Sequence, residues 1–507
     1  MLSNEWKHFK SGTDIRGIAL DGVDGPVDLT DEAVNRMAAG FLRWLCDKTQ
    51  KEPQELTVSV GRDSRLSGPR LRDAVVSSLI ACGVTVLDCG LASTPAMFMT
   101  TVDLHCDGAV QLTASHHPYH RNGLKFFTRD GGLESGDIDK ILLYAQENYP
   151  PVSSPSGICR PVTYMTDYAA RLRALICQGL GADEASKPLT GFHIVVDAGN
   201  GAGGFYATDV LQPLGADISG SQFLKPDGRF PNHIPNPENE AAMASISAAT
   251  LNAHADLGVI FDTDVDRAGC VDSKGREINR NRLVALAAAI ALEVCPGGTI
   301  VTDSITSTGL KAFIEQELGG KHRRFKRGYK NVIDEALRLN REGIPAPLAI
   351  ETSGHAALQE NYFLDDGAYL ITKIIIKMAQ LRREGKSLDS LIAALKEPAE
   401  GVELRFRITD PDFKTRGEQI ISALESYARK SGWKVADDSC EGVRISFGPD
   451  EGDGWLLLRL SVHDPVMPLN MESDRPGGCR IIAEHLALFM NNVQGLDTTV
   501  LEEYRKG

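Results

Sequence analysis

The sequence predicts an α/β protein: three similar α/β domains with mixed, largely parallel sheets around a central cleft, followed by a smaller α+β C-terminal domain. Three observations predict it. First, three segments open alike, each a short apolar run that feeds a polar loop and then a helical stretch. They are Leu56-Thr57-Val58-Ser59-Val60 into Gly61-Arg62-Asp63-Ser64, Phe192-His193-Ile194-Val195-Val196 into Asp197-Ala198-Gly199-Asn200, and Thr299-Ile300-Val301-Thr302 into Asp303-Ser304. Second, each opening is followed, tens of residues later, by an apolar run that ends in residues able to do chemistry. Third, the texture changes after residue 398, where strand-like 404–408, helical 416–430, and strand-like 443–447 and 455–460 follow without the glycine-rich parallel pattern.

The chain has 507 residues, too many for a single core. Turn-rich segments place the expected boundaries at 1–155, 156–275, 276–398 and 399–507. The first of them is Tyr149-Pro150-Pro151-Val152-Ser153-Ser154-Pro155.

Net charge is −14, from 68 acidic against 54 basic residues, which argues against a nucleic-acid partner. An anionic small molecule then needs local cations, and Arg16, Arg62, Arg65, Lys125, Arg267 and the stretch 321–330 offer them. The longest apolar stretch, 283–295, is too short to cross a membrane and reads as a buried helix. Ten cysteines without a CxxC pair, and an N-terminal stretch without a signal-peptide core, lead us to expect a reducing, cytoplasmic setting.

The chemistry is concentrated at three strand ends, and in open α/β sheets ligands gather where strand carboxyl ends meet loops. Leu112-Thr113-Ala114 runs into Ser115-His116-His117-Pro118, and Asn122-Gly123-Leu124-Lys125 follows. A serine hydroxyl is a weak nucleophile that needs a base, a metal or an electrophilic partner. Leu257-Gly258-Val259-Ile260-Phe261 runs into Asp262-Thr263-Asp264-Val265-Asp266-Arg267. In an extended chain the three alternating aspartates point to one side, and clustered carboxylates call for a cation. Oxygen-only donors indicate Mg²⁺, Mn²⁺ or Ca²⁺ rather than zinc. An EF-hand is excluded, because its obligatory glycine and glutamate positions hold Arg267 and Ser273. Leu348-Ala349-Ile350 runs into Glu351-Thr352-Ser353-Gly354-His355. Near the N-terminus, Gly12-Thr13-Asp14-Ile15-Arg16-Gly17 reads as a loop that offers N–H groups and a guanidinium to phosphate. The rigid connector Pro226 to Pro237 precedes the aspartate strand and is suited to holding it in place.

Taken together these motifs resemble the α-D-phosphohexomutases, most closely the phosphoglucomutase/phosphomannomutase branch. The resemblance rests on Thr113 to Pro118 with Asn122 to Lys125, on Asp262 to Arg267, and on Glu351 to His355. Gly12-Thr13 with Arg16-Gly17, Asn200 to Gly203, and Pro231-Asn232-His233 with Pro235-Asn236-Pro237 support it, in family order, over roughly the first three-quarters of the chain.

The resemblance implies interconversion of hexose 1- and 6-phosphates, of glucose or mannose, through a phosphoserine at Ser115 and a 1,6-bisphosphate that also serves as activator. It implies one Mg²⁺ on Ser115, Asp262, Asp264 and Asp266. Arg16, Lys125 and Arg267 would stabilise the transferring charge, and Lys125, His116 and His355 are the general acid/base candidates. Glu351 and Ser353 would read the sugar at O3 and O4, which glucose and mannose share. An amino-sugar mutase and a phosphosugar-binding regulatory protein are the alternative readings. The expected partners are small hexose phosphates, with no nucleic acid or membrane, in a monomer or homodimer.

Two departures from the family pattern stand out. His117 replaces the asparagine beside the nucleophile, where a neutral imidazole can donate one hydrogen bond and protonation would add pH sensitivity. In the C-terminal phosphate loop Arg459, Ser461 and Pro465 match the pattern. His463-Asp464 replaces Thr-Glu, a glycine is lost, and Pro468 stands where a second arginine is expected. Arg459, Ser461 and His463 are the expected phosphate contacts there, with Asn470 and Arg475 as candidates to compensate.

Overall fold

The computed structural model describes residues 1–22, 24–148, 156–461 and 464–506. The segment 149–155, read above as the first linker, and His463 lie outside the described residues. The chain divides into two compact units, Met1–Leu283 with Ser353–Ser390, and Val284–Thr352 with Leu391–Gly507.

In the first unit, β1 (Lys10–Ser11), β2 (Asp14–Ile18), β3 (Thr57–Arg62), β4 (Thr85–Leu91), β5 (Gly108–Leu112), β6 (Arg121–Thr128), β7 (Gly131–Gly132) and β8 (Ile158–Pro161) build one sheet. Its order is β1-β2-β6-β5-β3-β4-β8, with β7 on β6. Strands β5, β3, β4 and β8 run parallel, whereas β6 and β2 are antiparallel to their neighbours. Every residue of β5 is buried, as a strand covered on both faces requires. The helices Asp31–Thr49, Gly68–Ala81 and Ser135–Gln146 contribute Phe41, Leu45, Val75, Leu79, Ile138 and Leu142 to the same core as Val58, Val110 and Phe126. Polar caps start the helices: Thr30 accepts from the Ala33 N–H at 3.2 Å, and Ser93 accepts from the Ala96 N–H at 3.3 Å.

A second sheet, β12-β11-β10-β9, consists of β9 (Ile194–Asp197), β10 (Leu257–Phe261), β11 (Ala268–Asp272) and β12 (Glu277–Ile278). Strands β9 and β10 are parallel, while β10 turns directly back into antiparallel β11. The aspartate loop is that turn. The same unit holds the hairpin β16 (Ala356–Leu358) and β17 (Leu364–Asp365).

In the second unit, β13 (Thr299–Asp303) pairs in parallel with β14 (Lys321–Phe325) and with β15 (Leu348–Ile350). The C-terminal region forms an antiparallel sheet, β19-β20-β21-β22-β18-β23. Its strands are β18 (Glu400–Ile408), β19 (Lys434–Val435), β20 (Val443–Phe447), β21 (Gly454–Leu458), β22 (Val466–Ser473) and β23 (Leu496–Asp497). Helices Phe413–Lys430 and Gly478–Met490 pack Leu424, Ile482 and Leu486 on Phe406, Leu456 and Leu469. This is the α+β texture expected from the sequence. The apolar stretch 283–295 falls in the helix Arg280–Val294 and is largely buried. Among the described residues no helix is long and apolar enough to cross a membrane.

Strands approach closely at Gly123 on β6, where a Cβ would lie 2.2 Å from the Ile15 carbonyl and 2.8 Å from the Thr113 carbonyl. Neither backbone can retreat without opening the sheet. Gly123→Ala is therefore expected to lower stability by about 1–3 kcal/mol. Gly136→Ala, at a helix position with open space around its Cβ, is expected to be neutral or stabilising by up to about 1 kcal/mol. Urea unfolding of the two variants checks the contrast.

Candidate active site

The serine loop leaves β5 and returns through β6, so both its ends are anchored in the sheet. Ser115 has φ +49°, the left-handed region that costs a non-glycine residue energy. The Ser115 N–H donates to Thr113 Oγ1 at 2.9 Å. Arg65 holds the carbonyls. Its Nη2 donates to the Ser115 and His117 carbonyls at 2.5 and 2.6 Å, and its Nη1 to those of Pro118 and Arg121 at 2.7 and 2.9 Å. Nε donates to Asp63 Oδ2 at 3.2 Å, and both side chains are fully buried. Burial lowers the Arg65 pKa and raises that of Asp63 to about 6, against the attraction of the pair. The sequence reading counted Arg65 among cations for an anionic ligand, but its guanidinium is used up inside the protein. Its role as the loop's clasp left no sequence signal beyond its place after β3.

The aspartate loop brings Asp262, Asp264 and Asp266 together, with one oxygen of each within 4.8 Å of the others. Convergence does not come from the extended alternation expected above. Residues 263–266 form a turn, and Val265 takes φ +69°, rare for a β-branched residue. The surrounding structure holds this strain, for Val265 is completely buried and its carbonyl accepts from the Gly367 N–H at 3.1 Å.

Cations and donors surround the three carboxylates. Lys125 Nζ lies 2.5 Å from Asp266 Oδ2 and 3.8 Å from Asp264 Oδ2. Arg267 donates from Nε to Asp262 Oδ2 at 3.2 Å and from Nη2 to Ser115 Oγ at 3.0 Å. Thr94, which the sequence reading missed, donates its hydroxyl to Asp264 Oδ2. Burial raises Asp262 well above the carboxylate range, and Asp266 adds to this by repulsion. Burial acts the same way on Asp266, but Lys125, His355 and Arg267 outweigh it and hold that carboxyl down.

Ser115 Oγ donates to Asp262 Oδ2 at 3.2 Å. Asp264 Oδ1 and Asp266 Oδ1 are buried with no hydrogen-bond partner. Buried carboxylate oxygens without donors, beside a hydroxyl and among oxygen ligands only, fit a hard divalent cation such as Mg²⁺.

His116 Nδ1 lies 2.6 Å from Arg267 Nη2 and 3.4 Å from Ser115 Oγ. A guanidinium can only donate, so that nitrogen accepts. Burial, reinforced by Arg267, pushes the His116 pKa down to about 2. His117 Nε2 likewise accepts from Arg16 Nη1 at 2.6 Å, and burial with Arg16 lowers its pKa to about 3. The expected pH sensitivity at His117 is thus corrected: the imidazole is a neutral acceptor that orients Arg16. Arg16 also bonds Asp14 at 3.0 Å and stands on strand β2, not in the loop read from the sequence. Asn236, in the Pro-rich connector, accepts from Arg267 Nη1 at 3.3 Å, which ties that connector to the aspartate loop.

His355 bridges to Arg267 through the backbone, lies 3.7 Å from Asp266 Oδ1, and meets Ser353 Oγ at 2.9 Å through Nδ1. The structure therefore brings Ser115, His116, Lys125, Arg16, Arg267, Ser353, His355 and the three aspartates into the first unit. Glu351 belongs to the second unit, where it accepts from the Gly328 N–H at 2.6 Å. Arg459 and Ser461 also belong to that unit. The Ser461 N–H donates to the Val466 carbonyl at 3.0 Å. Of the candidates to compensate, Asn470 is engaged by Glu403 at 3.0 Å and Arg475 lies beyond the end of β22.

Two outcomes follow. Arg65→Met strands a buried Asp63 and four carbonyls, so a loss of about 3–5 kcal/mol is expected in chemical denaturation. Mg²⁺ is expected to raise the thermal midpoint of the wild-type protein, with about 2.7 kcal/mol gained at a hundredfold excess over Kd. Asp264→Asn should shrink that shift.

Models of the phosphoglucomutase/phosphomannomutase family match the chain over residues 9–149 (alpha/beta/alpha domain I), 167–275 (domain II) and 279–398 (domain III). A phosphomannomutase/phosphoglucomutase of Pseudomonas putida is 31% identical over 427 residues, which cover 84% of each chain. A phosphoglucomutase/phosphomannomutase of Thermococcus kodakarensis is 30% identical over 462 residues, 90% of this chain and 93% of the relative. A crystal structure of a phosphoglucomutase/phosphomannomutase family protein from Burkholderia thailandensis is similar over 97% of this chain and 98% of that one. The TM-score is 0.77 and the identity 26%.

Proposed function

The chain belongs to the phosphoglucomutase/phosphomannomutase family, and from that membership we propose how its residues interconvert hexose 1- and 6-phosphates. The observation that carries the assignment is the shared environment of Ser115 Oγ, Arg267 Nη2 and Asp262 within 3.2 Å.

Ser115 carries the phosphoryl group. In the first transfer the P–Oγ bond breaks as a bond forms to O6 of a hexose 1-phosphate, whose hydroxyl proton must leave. Lys125, an ammonium on Asp266 beside the serine's carboxylate partners, is the residue we assign to give a proton to the departing Ser115 Oγ and, as the amine, to take up the O6 proton. In the second transfer the same exchange runs from Ser115 Oγ to O1. The resulting 1,6-bisphosphate then presents its other phosphate, the P–O1 bond breaks, and Ser115 is phosphorylated again as the hexose 6-phosphate forms.

Phosphoryl transfer depends mainly on positioning and on neutralising charge. Arg267 is fixed on Asp262, Asn236 and His116, so its Nη2 is aimed before any ligand arrives. Arg16, fixed on Asp14 and His117, adds a second guanidinium. Asp262, Asp264 and Asp266 would hold Mg²⁺, which supplies positive charge to the phosphoryl oxygens when bound. Ser353 is oriented by His355, and Glu351 by the Gly328 N–H; both are assigned to the sugar hydroxyls O3 and O4.

A phosphorus NMR time course on glucose 1-phosphate and mannose 1-phosphate, with Mg²⁺ and glucose 1,6-bisphosphate, tests the reading. Both 6-phosphates are expected, with phosphate on Ser115 by mass spectrometry. Ser115→Ala should abolish turnover, and Lys125→Met should slow it by about 10²–10⁴-fold. Turnover unchanged in Ser115→Ala would refute the phosphoserine route.

A further inference from the structure

The C-terminal sheet shows where the missing arginine has gone. Phe406, Leu458 and Leu469 face its helices and are fully buried, so their sequence neighbours Arg405, Arg459 and Pro468 project from the other face. Arg405 on β18 is directly opposite Pro468 on β22. On the far side of β22, Arg459 continues the β21 register and donates its N–H to the Pro468 carbonyl at 3.1 Å. Directly opposed antiparallel residues share a face. The two arginines thus flank Pro468 in one row across three strands.

A third arginine lies near this row. Gly442 has φ +58°, and a Cβ there would meet the Leu458 carbonyl at 2.1 Å and Arg459 Cα at 2.8 Å. The chain at 441–442 therefore presses against Arg459. Glu441, next to that contact, accepts from the Arg327 N–H at 3.2 Å. Arg459 Nε is buried with no hydrogen-bond partner. Burial lowers the Arg459 pKa, with Arg327 and Arg405 acting in the same direction and Glu441 and Glu403 opposing. Glu403 takes both Nε and Nη2 of Arg405 at 2.8 Å and so fixes that guanidinium. Arg327 Nε also lies 3.9 Å from Asp303 Oδ2, so three guanidiniums face three carboxylates, and the buried Nε of Arg459 is a donor left unsatisfied.

We propose that Arg405 and Arg327, together with Arg459, bind the phosphate that is not being transferred. Arg405 supplies from the neighbouring strand the cation that Pro468 cannot. The proposal rests on the mutase reading above. It gives the non-reacting phosphate ester a planar, donor-rich site in place of a backbone loop.

The test is calorimetric titration of glucose 1-phosphate into the full chain carrying Ser115→Ala, which binds but does not turn over. Adding Arg405→Ala or Arg327→Gln is expected to weaken binding by about tenfold to a hundredfold. Arg405→Lys should fall between, and Arg407→Ala, two residues along the same strand, should stay within about twofold. Arg405 is 64% exposed, so its variants are expected to keep the parent's thermal midpoint. Parent-like binding in both Arg405→Ala and Arg327→Gln overturns the proposal and leaves the mutase reading intact. No binding by the Ser115→Ala parent, with no turnover by the wild type, overturns both.

Discussion

Three carboxylates held within 4.8 Å of one another in the protein interior are the constraint on which the rest of the site depends. Such a cluster is unfavourable by desolvation and by mutual repulsion unless positive charge is brought to it. The structure meets that demand from separate parts of the chain. Lys125 comes from β6, Arg267 follows the aspartates themselves, and His355 arrives from the segment after β15. Arg267 also reaches Ser115, donating to its Oγ at 3.0 Å. Charge balance and the placing of a guanidinium at the serine are one arrangement here.

The nucleophile's loop is fixed by a different device. A left-handed Ser115 and a run of outward carbonyls would not persist unaided, and a backbone ladder cannot satisfy them at the end of a strand. One buried guanidinium serves four carbonyls instead, and its charge is balanced by Asp63 from the same turn. Arginine suits this task because its donors are numerous and held in one plane. The two imidazoles after Ser115 act in the same spirit. Both are neutral acceptors that aim an arginine, His116 for Arg267 and His117 for Arg16. In this chain His117 gives Arg16 an orienting contact, and burial beside that guanidinium holds its imidazole pKa down.

The C-terminal sheet sets side chains from distant parts of the chain side by side. Position 468 holds a proline, whose side chain offers nothing to an anion. Its cross-strand neighbour is an arginine. Because opposed residues share a face, Arg405 and Pro468 lie on one surface of the sheet. A linear motif cannot display such a pairing, since residues 405 and 468 become neighbours only through strand pairing.

By itself the sequence determined the α/β class, the α+β texture of the C-terminal region and the three chemical strand ends. Apolar runs ending in Ser115, in Asp262 to Arg267 and in Glu351 to His355 are local features, set by residue type and short spacing. Local signals also placed β3, β9 and β13 within a residue or two of their observed limits. Only the tertiary structure decided which groups meet. Arg65 was expected to serve an anionic ligand and proved a buried clasp, Thr94 gave no signal at all, and Arg16 sits on a strand and not in a loop. The aspartates converge through a strained turn at Val265, not through strand alternation. In each case the deciding contact joins residues far apart in the chain or depends on burial. Periodicity and motif spacing report on neighbours along the chain, whereas the charges that must be paired in the interior are chosen by packing.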